Sequence, residues 1–219
     1  MSSFSIEQAR FNMVEQQIRT WEVLDQDVLD LLFKVKREEF VPAGCESLAF
    51  ADLEIPLGHG EHMWTPKMEA RVLQELSLRP SERVLEVGTG SGYLTALLAS
   101  RADTVLSVEI VPEFARSART KLARAGIRNV DIVEGDGARG FETAAYDAIV
   151  LTGSTPLIAE SLFAQLKPGG RIFAVVGDPP IMTARLVQWT APGSRVTRGL
   201  FETLIAPLRN APAPRRFEF

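Results

Sequence analysis

The chain has 219 residues, 46% hydrophobic and 24% charged, a globular balance that suits one domain with a modest extension. A formal net charge of -4 excludes the broad basic face of a general nucleic-acid binder, so no nucleic-acid partner is expected. The single cysteine, Cys45, excludes an internal disulfide. With no charged leader at Met1-Ser2-Ser3-Phe4 and no apolar run approaching roughly 20 residues, a soluble cytoplasmic protein without membrane contact is expected.

Residues 6–35 carry helical spacing at Met13, Ile18, Val23, Leu24, Val28, Leu31 and Leu32, with Asp25 or Asp27 placed to cap a second helix near Val28. Residues 40–66 are broken by Pro42, Gly44, Pro56, Gly58, Gly60 and Pro66, and read as a long loop of the kind that forms lids or binding segments. Helical spacing returns over 67–76. From residue 83 onward, strands at 84–87, 104–109, 130–133, 146–151 and 171–176 alternate with helices at 93–100, 112–125 and 156–166, and 167–170 form a turn. That alternation predicts an α/β fold with a doubly wound, mostly parallel sheet and helices on both faces. Residues 183–189, 199–201 and 203–205 read as antiparallel strands at one edge, and 212–219, with Arg215-Arg216, as a frayed or docked tail. One domain is expected, divided into an N-terminal helical part with the lid (1–77), a core (78–180) and a C-terminal part (181–219).

The chemistry concentrates after the first core strand. Gly88, Gly90 and Gly92, with Thr89 and Ser91 between them, allow a tight turn and a close approach of backbone to ligand. The spacing is G-x-G-x-G, which lacks the third-glycine offset of a dinucleotide fingerprint and counts against a nicotinamide reductase. Glu86 beside the turn suits a cationic amino group better than a pyrophosphate. Glu109, with Ile110 beside it, ends the second strand where a carboxylate can accept both ribose hydroxyls. Asp136, followed by Gly137, is placed to accept an adenine amino proton. Each has a plainer reading as a strand-end charge or a turn residue. Three carboxylates at the carboxyl edge of successive strands together favour a ligand with a nucleoside and an amino-acid arm.

The chain resembles the protein-L-isoaspartate O-methyltransferase family over nearly its whole length. The resemblance rests on Met13-Val14-Glu15-Gln16-Gln17-Ile18-Arg19, Arg37-Glu38-Glu39-Phe40-Val41-Pro42, Pro56-Leu57-Gly58-His59-Gly60, residues 83–93, Ser107-Val108-Glu109, Glu134-Gly135-Asp136-Gly137, residues 165–171 and Ala206-Pro207-Leu208. It implies a Rossmann-like fold and S-adenosylmethionine as the cofactor. It also implies methyl transfer to the α-carboxylate of isoaspartyl residues in peptides or proteins. Leu57, Gly58, His59, Gly60 and Glu61 then correspond to the substrate loop. The family loop usually reads Gly-x-Gly-Gln-Thr-Ile-Ser-x-Pro, with the serine at the reaction centre. Here Glu61 stands for the amide, His62 for the threonine and Trp64 for the serine, so His62, Trp64 and Thr65 are the candidates for the catalytic position.

Trp64 has no small hydroxyl, an ionised Glu61 repels a carboxylate acceptor, and Thr65 on an extended segment points the other way. Two further readings therefore stand beside the first. One is a methyltransferase for a planar small molecule stacked on Trp64, with His62 as base. The other is a binding protein that retains the fold without catalysis. A zinc site from His59, Glu61 and His62 is not expected, because one glycine-broken loop would have to supply every ligand. Cys45 reads as a small hydrophobe. The oligomeric state is not legible.

Overall fold

The structure, a computed structural model, describes residues 3–142, 144–191 and 193–214. From the N terminus, α1 (Ser3–Asn12) runs into a π-helical turn (Met13–Ile18) and a 3-10 turn (Arg19–Trp21). The expected long helix is thus widened part-way, and the wider turn lets the neighbours Met13 and Val14 both enter the core. A second helix, α2 (Gln26–Lys34), starts two residues before the expected Val28. Asp25 caps it, one carboxylate oxygen accepting from the Asp27 N–H at 2.9 Å and the Val28 N–H at 3.4 Å.

Residues 40–66 are not a plain loop. They hold a 3-10 turn (Glu46–Leu48) and an antiparallel hairpin of β1 (Ile55–Gly58) and β2 (Glu61–Met63). The hairpin tip Gly58-His59-Gly60 has φ of 96°, 54° and 81°, which explains the two glycines. A register shift between Pro56 and Gly58 breaks the alternation that marks a strand in sequence. After it comes α3 (Pro66–Leu76), with proline at its first position and Thr65 as N-cap, its hydroxyl accepting from the Met68 N–H at 3.4 Å.

Segments such as Val-Leu-Glu-Val at 84–87 and Ala-Ile-Val-Leu at 148–151 are apolar on both faces of a strand, and they need a sheet covered on both sides. They lie in β3 (Arg83–Val87) and β6 (Tyr146–Leu151). With β4 (Thr104–Glu109), β5 (Val130–Glu134), β7 (Leu166–Asp178), β8 (Ile181–Ala191) and β9 (Ser194–Glu202), they form a seven-stranded sheet in the order β5-β4-β3-β6-β7-β8-β9. The first five are parallel and the last two antiparallel. On one face Val84, Val105 and Val150 pack with α3, α4 (Tyr93–Ala99) and α5 (Pro112–Arg124). On the other, Leu85, Leu106 and Ile149 pack with Leu162 and Phe163 of α6 (Glu160–Phe163). The hairpin β1–β2 is a separate two-stranded sheet.

The C-terminal half differs from expectation in four places. The helix expected over 156–166 shrinks to α6; Thr155 turns its hydroxyl onto the Leu157 carbonyl at 2.6 Å, and no side chain caps the helix. The turn at 167–170 lies inside the irregular start of β7, where the register with β6 jumps from Leu166 to Arg171. Residues 199–201 belong to a strand that begins at Ser194. Residues 203–205 form no strand, and Pro207 instead bridges Ser154 beyond the end of β6. Of the expected tail, 215–219 lie outside the described residues. Among the described residues no helix is long and apolar enough to cross a membrane.

Arg37, in the 3-10 turn Arg37–Glu39, is 1% exposed and joins these parts. Its guanidinium donates to the Ala49 carbonyl at 2.9 Å, to the Trp64 carbonyl at 2.7 Å and to the Glu69 carboxylate of α3. It also lies over the Tyr93 ring at the start of α4, 5.3 Å from the centroid. Replacing Arg37 by alanine leaves the buried Glu69 carboxyl and two carbonyls without their donor, and is expected to cost about 3 kcal/mol or more, from roughly 1–3 kcal/mol for each buried acceptor left unmet. Urea denaturation checks this; a loss under about 1 kcal/mol, the level of an exposed pair, contradicts the role given to Arg37.

Candidate active site

The sheet order reverses at β3, whose neighbours β4 and β6 receive the chain in opposite directions of progress, and open α/β sheets bind ligands at such a point. There the chain passes from β3 into α4 through residues 88–92. Gly88 has φ 98°, and a Cβ on it would lie 2.1 Å from the Thr152 hydroxyl, so only glycine fits. Thr152, just past β6, lies 2.8 Å from the carbonyls of both Val87 and Gly88 and so ties the two strand ends together. The Gly90 N–H donates to one oxygen of Glu109 at 2.8 Å, and the Val111 N–H to the other at 2.8 Å. Two lone-pair sites of that carboxylate remain for a ligand. Gly92 caps α4, and the Ser91 hydroxyl accepts from the Tyr93 N–H at 3.2 Å.

A cleft of about 810 Å³, open to solvent, lies over this turn. Gly88, Thr89, Gly90, Ser91, Glu109 and Ile110 form its floor. A smaller adjoining hollow of about 240 Å³ brings Ile110 together with Asp136 and Gly137 between the apolar walls of Val87 and Val108. Asp136 accepts from the Ala138 N–H and from the Asn210 side-chain amide, both at 2.9 Å.

Glu86 stands one layer behind the floor. It is fully buried, and one oxygen accepts from the hydroxyls of Thr95 at 2.5 Å and Ser107 at 2.6 Å. Ser107 also meets the Thr89 hydroxyl at 2.5 Å, so Glu86 reaches the cleft only through other side chains. Its second oxygen has no partner among the described residues. Burial pushes the carboxyl up to about 8, against the lowering effect of the two hydroxyls. Burial likewise pushes Glu69 up, more strongly than the Arg37 charge lowers it.

The hairpin forms the opposite wall through Leu57, Glu61, His62, Met63 and Trp64. Gly58, His59 and Gly60 make the exposed tip and do not line the cleft. The His59 ring sits edge-on to Phe114, 5.5 Å between centroids. His62 is exposed beside Glu54, whose carboxyl burial pushes up while the His62 charge pulls it down. Trp64 is 7% exposed, lines the cleft, and packs edge-on to Phe173 at 6.5 Å between ring centroids. Thr65 is engaged as the α3 cap and is not part of the lining. Among the described residues no three His, Cys, Asp or Glu side chains are grouped to hold a metal ion.

Sequence reasoning missed Arg209, which lines both the cleft and the smaller hollow. It donates to the Glu61 carboxylate at 2.7 Å and to the His59 carbonyl at 2.7 Å. Its place directly after Ala206-Pro207-Leu208 was the available signal. Glu69 and Thr152 were missed as well, since their roles depend on contacts with residues far away in the chain.

Residues 8–210 match the family described as protein-L-isoaspartate(D-aspartate) O-methyltransferase. A curated protein-L-isoaspartate O-methyltransferase of Methanoculleus marisnigri is 45% identical over 169 residues, covering 77% of this chain and 77% of its own. Another, of Aeropyrum pernix, is 37% identical over 206 residues, covering 92% of this chain and 79% of its own. The fold matches a crystal structure from Plasmodium falciparum, described as a protein-L-isoaspartate O-methyltransferase in complex with S-adenosyl-L-homocysteine. That match has a TM-score of 0.76 over 90% of this chain and 97% of the other, at 20% identity.

The buried carboxyl of Glu86 gives a pH signature. The folded chain favours its neutral form, so its contribution to stability is complete below about 4.5, the carboxyl's ordinary value, and is lost as the pH rises through about 8. The melting temperature is expected to fall between pH 6 and pH 9, and Glu86→Gln, which carries no charge, flattens that fall. Equal slopes for the two proteins by calorimetry would show that Glu86 does not titrate there.

Proposed function

The chain belongs to the protein-L-isoaspartate(D-aspartate) O-methyltransferase family, and on that premise we propose that it methylates the α-carboxylate of isoaspartyl residues in proteins and peptides, with S-adenosylmethionine as the donor. The observation that carries this reading is the match over residues 8–210, which takes in the hairpin as well as the glycine turn. We place the reaction in the cytoplasm, where the free thiol of Cys45 stays reduced.

The chemistry of the cleft suits that donor. Glu109 has carboxylate lone pairs left for the ribose hydroxyls, and the hollow between Val87, Val108 and Ile110 offers apolar walls for a planar base with Asp136 at its rim. Gly88, Thr89, Gly90, Ser91 and Gly92 present backbone to the remaining arm, and Gly137 keeps the hollow open. Glu86 acts here as a positioning residue, stiffening the turn from behind through Ser107 and Thr89. When bound, S-adenosylmethionine supplies a methyl group already activated by its sulfonium.

An acceptor carboxylate is ionised at neutral pH, so no side chain has to remove a proton. The work left to the protein is to hold the acceptor in line and keep water away. Leu57, Met63 and Trp64 give the hairpin wall the apolar surface for the second task. Trp64 takes the place of the family's serine as packing, and orientation of the acceptor falls to other donors along the hairpin and the segment facing it.

The test is methyl transfer to a peptide containing one isoaspartyl residue, beside its aspartyl twin. Methylation of the first alone is expected. Equal methylation of both, or of neither, overturns the proposal. Trp64→Phe keeps the packing and is expected to retain kcat within about threefold, whereas a hundredfold loss would mean that the indole N–H takes part in the reaction.

A further inference from the structure

The described lining of the cleft is acidic. Glu54, Glu61, Glu69 and Glu109 border it, Glu69 with its carboxyl pushed up by burial to about 8 and so adding little charge at neutral pH, and the one guanidinium among them is that of Arg209. Arg37 meets Glu69 from behind, and two backbone N–H groups meet Glu109. A carboxylate entering such a cleft is repelled unless a fixed cation receives it.

Arg209 is built for that task. Its segment is fastened to the end of β6: the Leu208 N–H donates to the Ser154 carbonyl at 2.8 Å, and the Ser154 N–H to the Ala206 carbonyl at 2.9 Å. The Asn210 side chain is tied to Asp136 on the other side. Between these anchors the guanidinium is held by Glu61 and the His59 carbonyl, which engage two of its five N–H groups. Three donors remain, on a side chain 42% exposed at the cleft. Arginine is the side chain whose planar fork matches a carboxylate. Glu61 occupies the position where the family carries an amide, and in this chain Arg209 meets the negative charge there.

We propose that Arg209 receives the acceptor's carboxylate, and that Glu61 is the resting partner which holds the guanidinium in place and competes with the acceptor for it. This rests on the isoaspartyl reading above. It differs from a purely structural latch, in which the Arg209–Glu61 pair merely fastens the hairpin and loss of either partner has the same effect.

The opposed directions of two variants provide the experiment. Arg209→Gln is expected to raise KM for the isoaspartyl peptide on the order of tenfold, as for loss of a charged hydrogen bond, with a smaller change in kcat. Glu61→Gln frees the guanidinium and lowers KM about threefold. Arg209→Lys restores part of the loss. Calorimetry with S-adenosylhomocysteine reports the donor half separately, since Arg209 also lines the smaller hollow; a fall in its affinity in Arg209→Gln as large as the rise in KM assigns the guanidinium to the donor and overturns the proposal. If the parent methylates the peptide while both variants raise KM equally, Arg209 is a latch and this inference fails by itself. A parent that leaves the isoaspartyl peptide unmethylated overturns the underlying reading, and this inference with it.

Discussion

Taking a guanidinium out of water costs several kcal/mol unless its donors are met, and Arg37 meets that demand with partners drawn from separate stretches of chain. The Ala49 carbonyl follows the 3-10 turn Glu46–Leu48, while the Trp64 carbonyl and the Glu69 carboxylate lie on either side of the junction between β2 and α3. A hydrophobic core can bring such elements close, but it sets their relative positions only loosely. A planar fork with three directed bonds sets them tightly. The hairpin wall, α3 and the start of α4 are therefore located by one residue, and the cleft inherits its shape from that arrangement.

The opposite wall has another origin. Parallel strands of matched length end together, and the residues after β3, β4, β5 and β6 arrive at one edge by topology. The Glu109 carboxylate accepts from the Gly90 N–H of the glycine turn, with Glu86 sealed beneath them. This wall tolerates no bulk at Gly88 because Thr152 already occupies the space. The segment carrying Arg209 then spans the two walls, bonded to the hairpin by one residue and to the Asp136 turn by the next.

These origins explain what was legible in the sequence. Strands β3 to β6 and helices α4 and α5 announce themselves through short apolar runs, glycine turns and local periodicity, all of them signals within a few residues. The glycine turn, Glu109 and Asp136 were legible for the same reason, because each follows a recognisable strand. The hairpin was not, since its bulge and its three left-handed tip residues erase alternation over so short a span. α6 was overdrawn because apolar spacing continues where the backbone does not. Glu86 was placed against the ligand on proximity in sequence, whereas strand alternation turns it beneath α4 onto Thr95. Arg209 and Glu69 draw their meaning from partners 148 and 32 residues away, and no local pattern encodes such a pairing.

The separation of the hairpin from the main sheet has a consequence for how the family can diversify. Strands β1 and β2 pair only with each other, so a substitution such as Trp64 or Glu61 alters the hairpin wall of the cleft without disturbing any hydrogen bond of the seven-stranded sheet. Changes at residues 88–92 have no such freedom. The hairpin side of the cleft can therefore change shape and charge more freely than the side formed by the glycine turn. Divergence confined to one wall, of the kind this chain carries, is what such a division of labour permits.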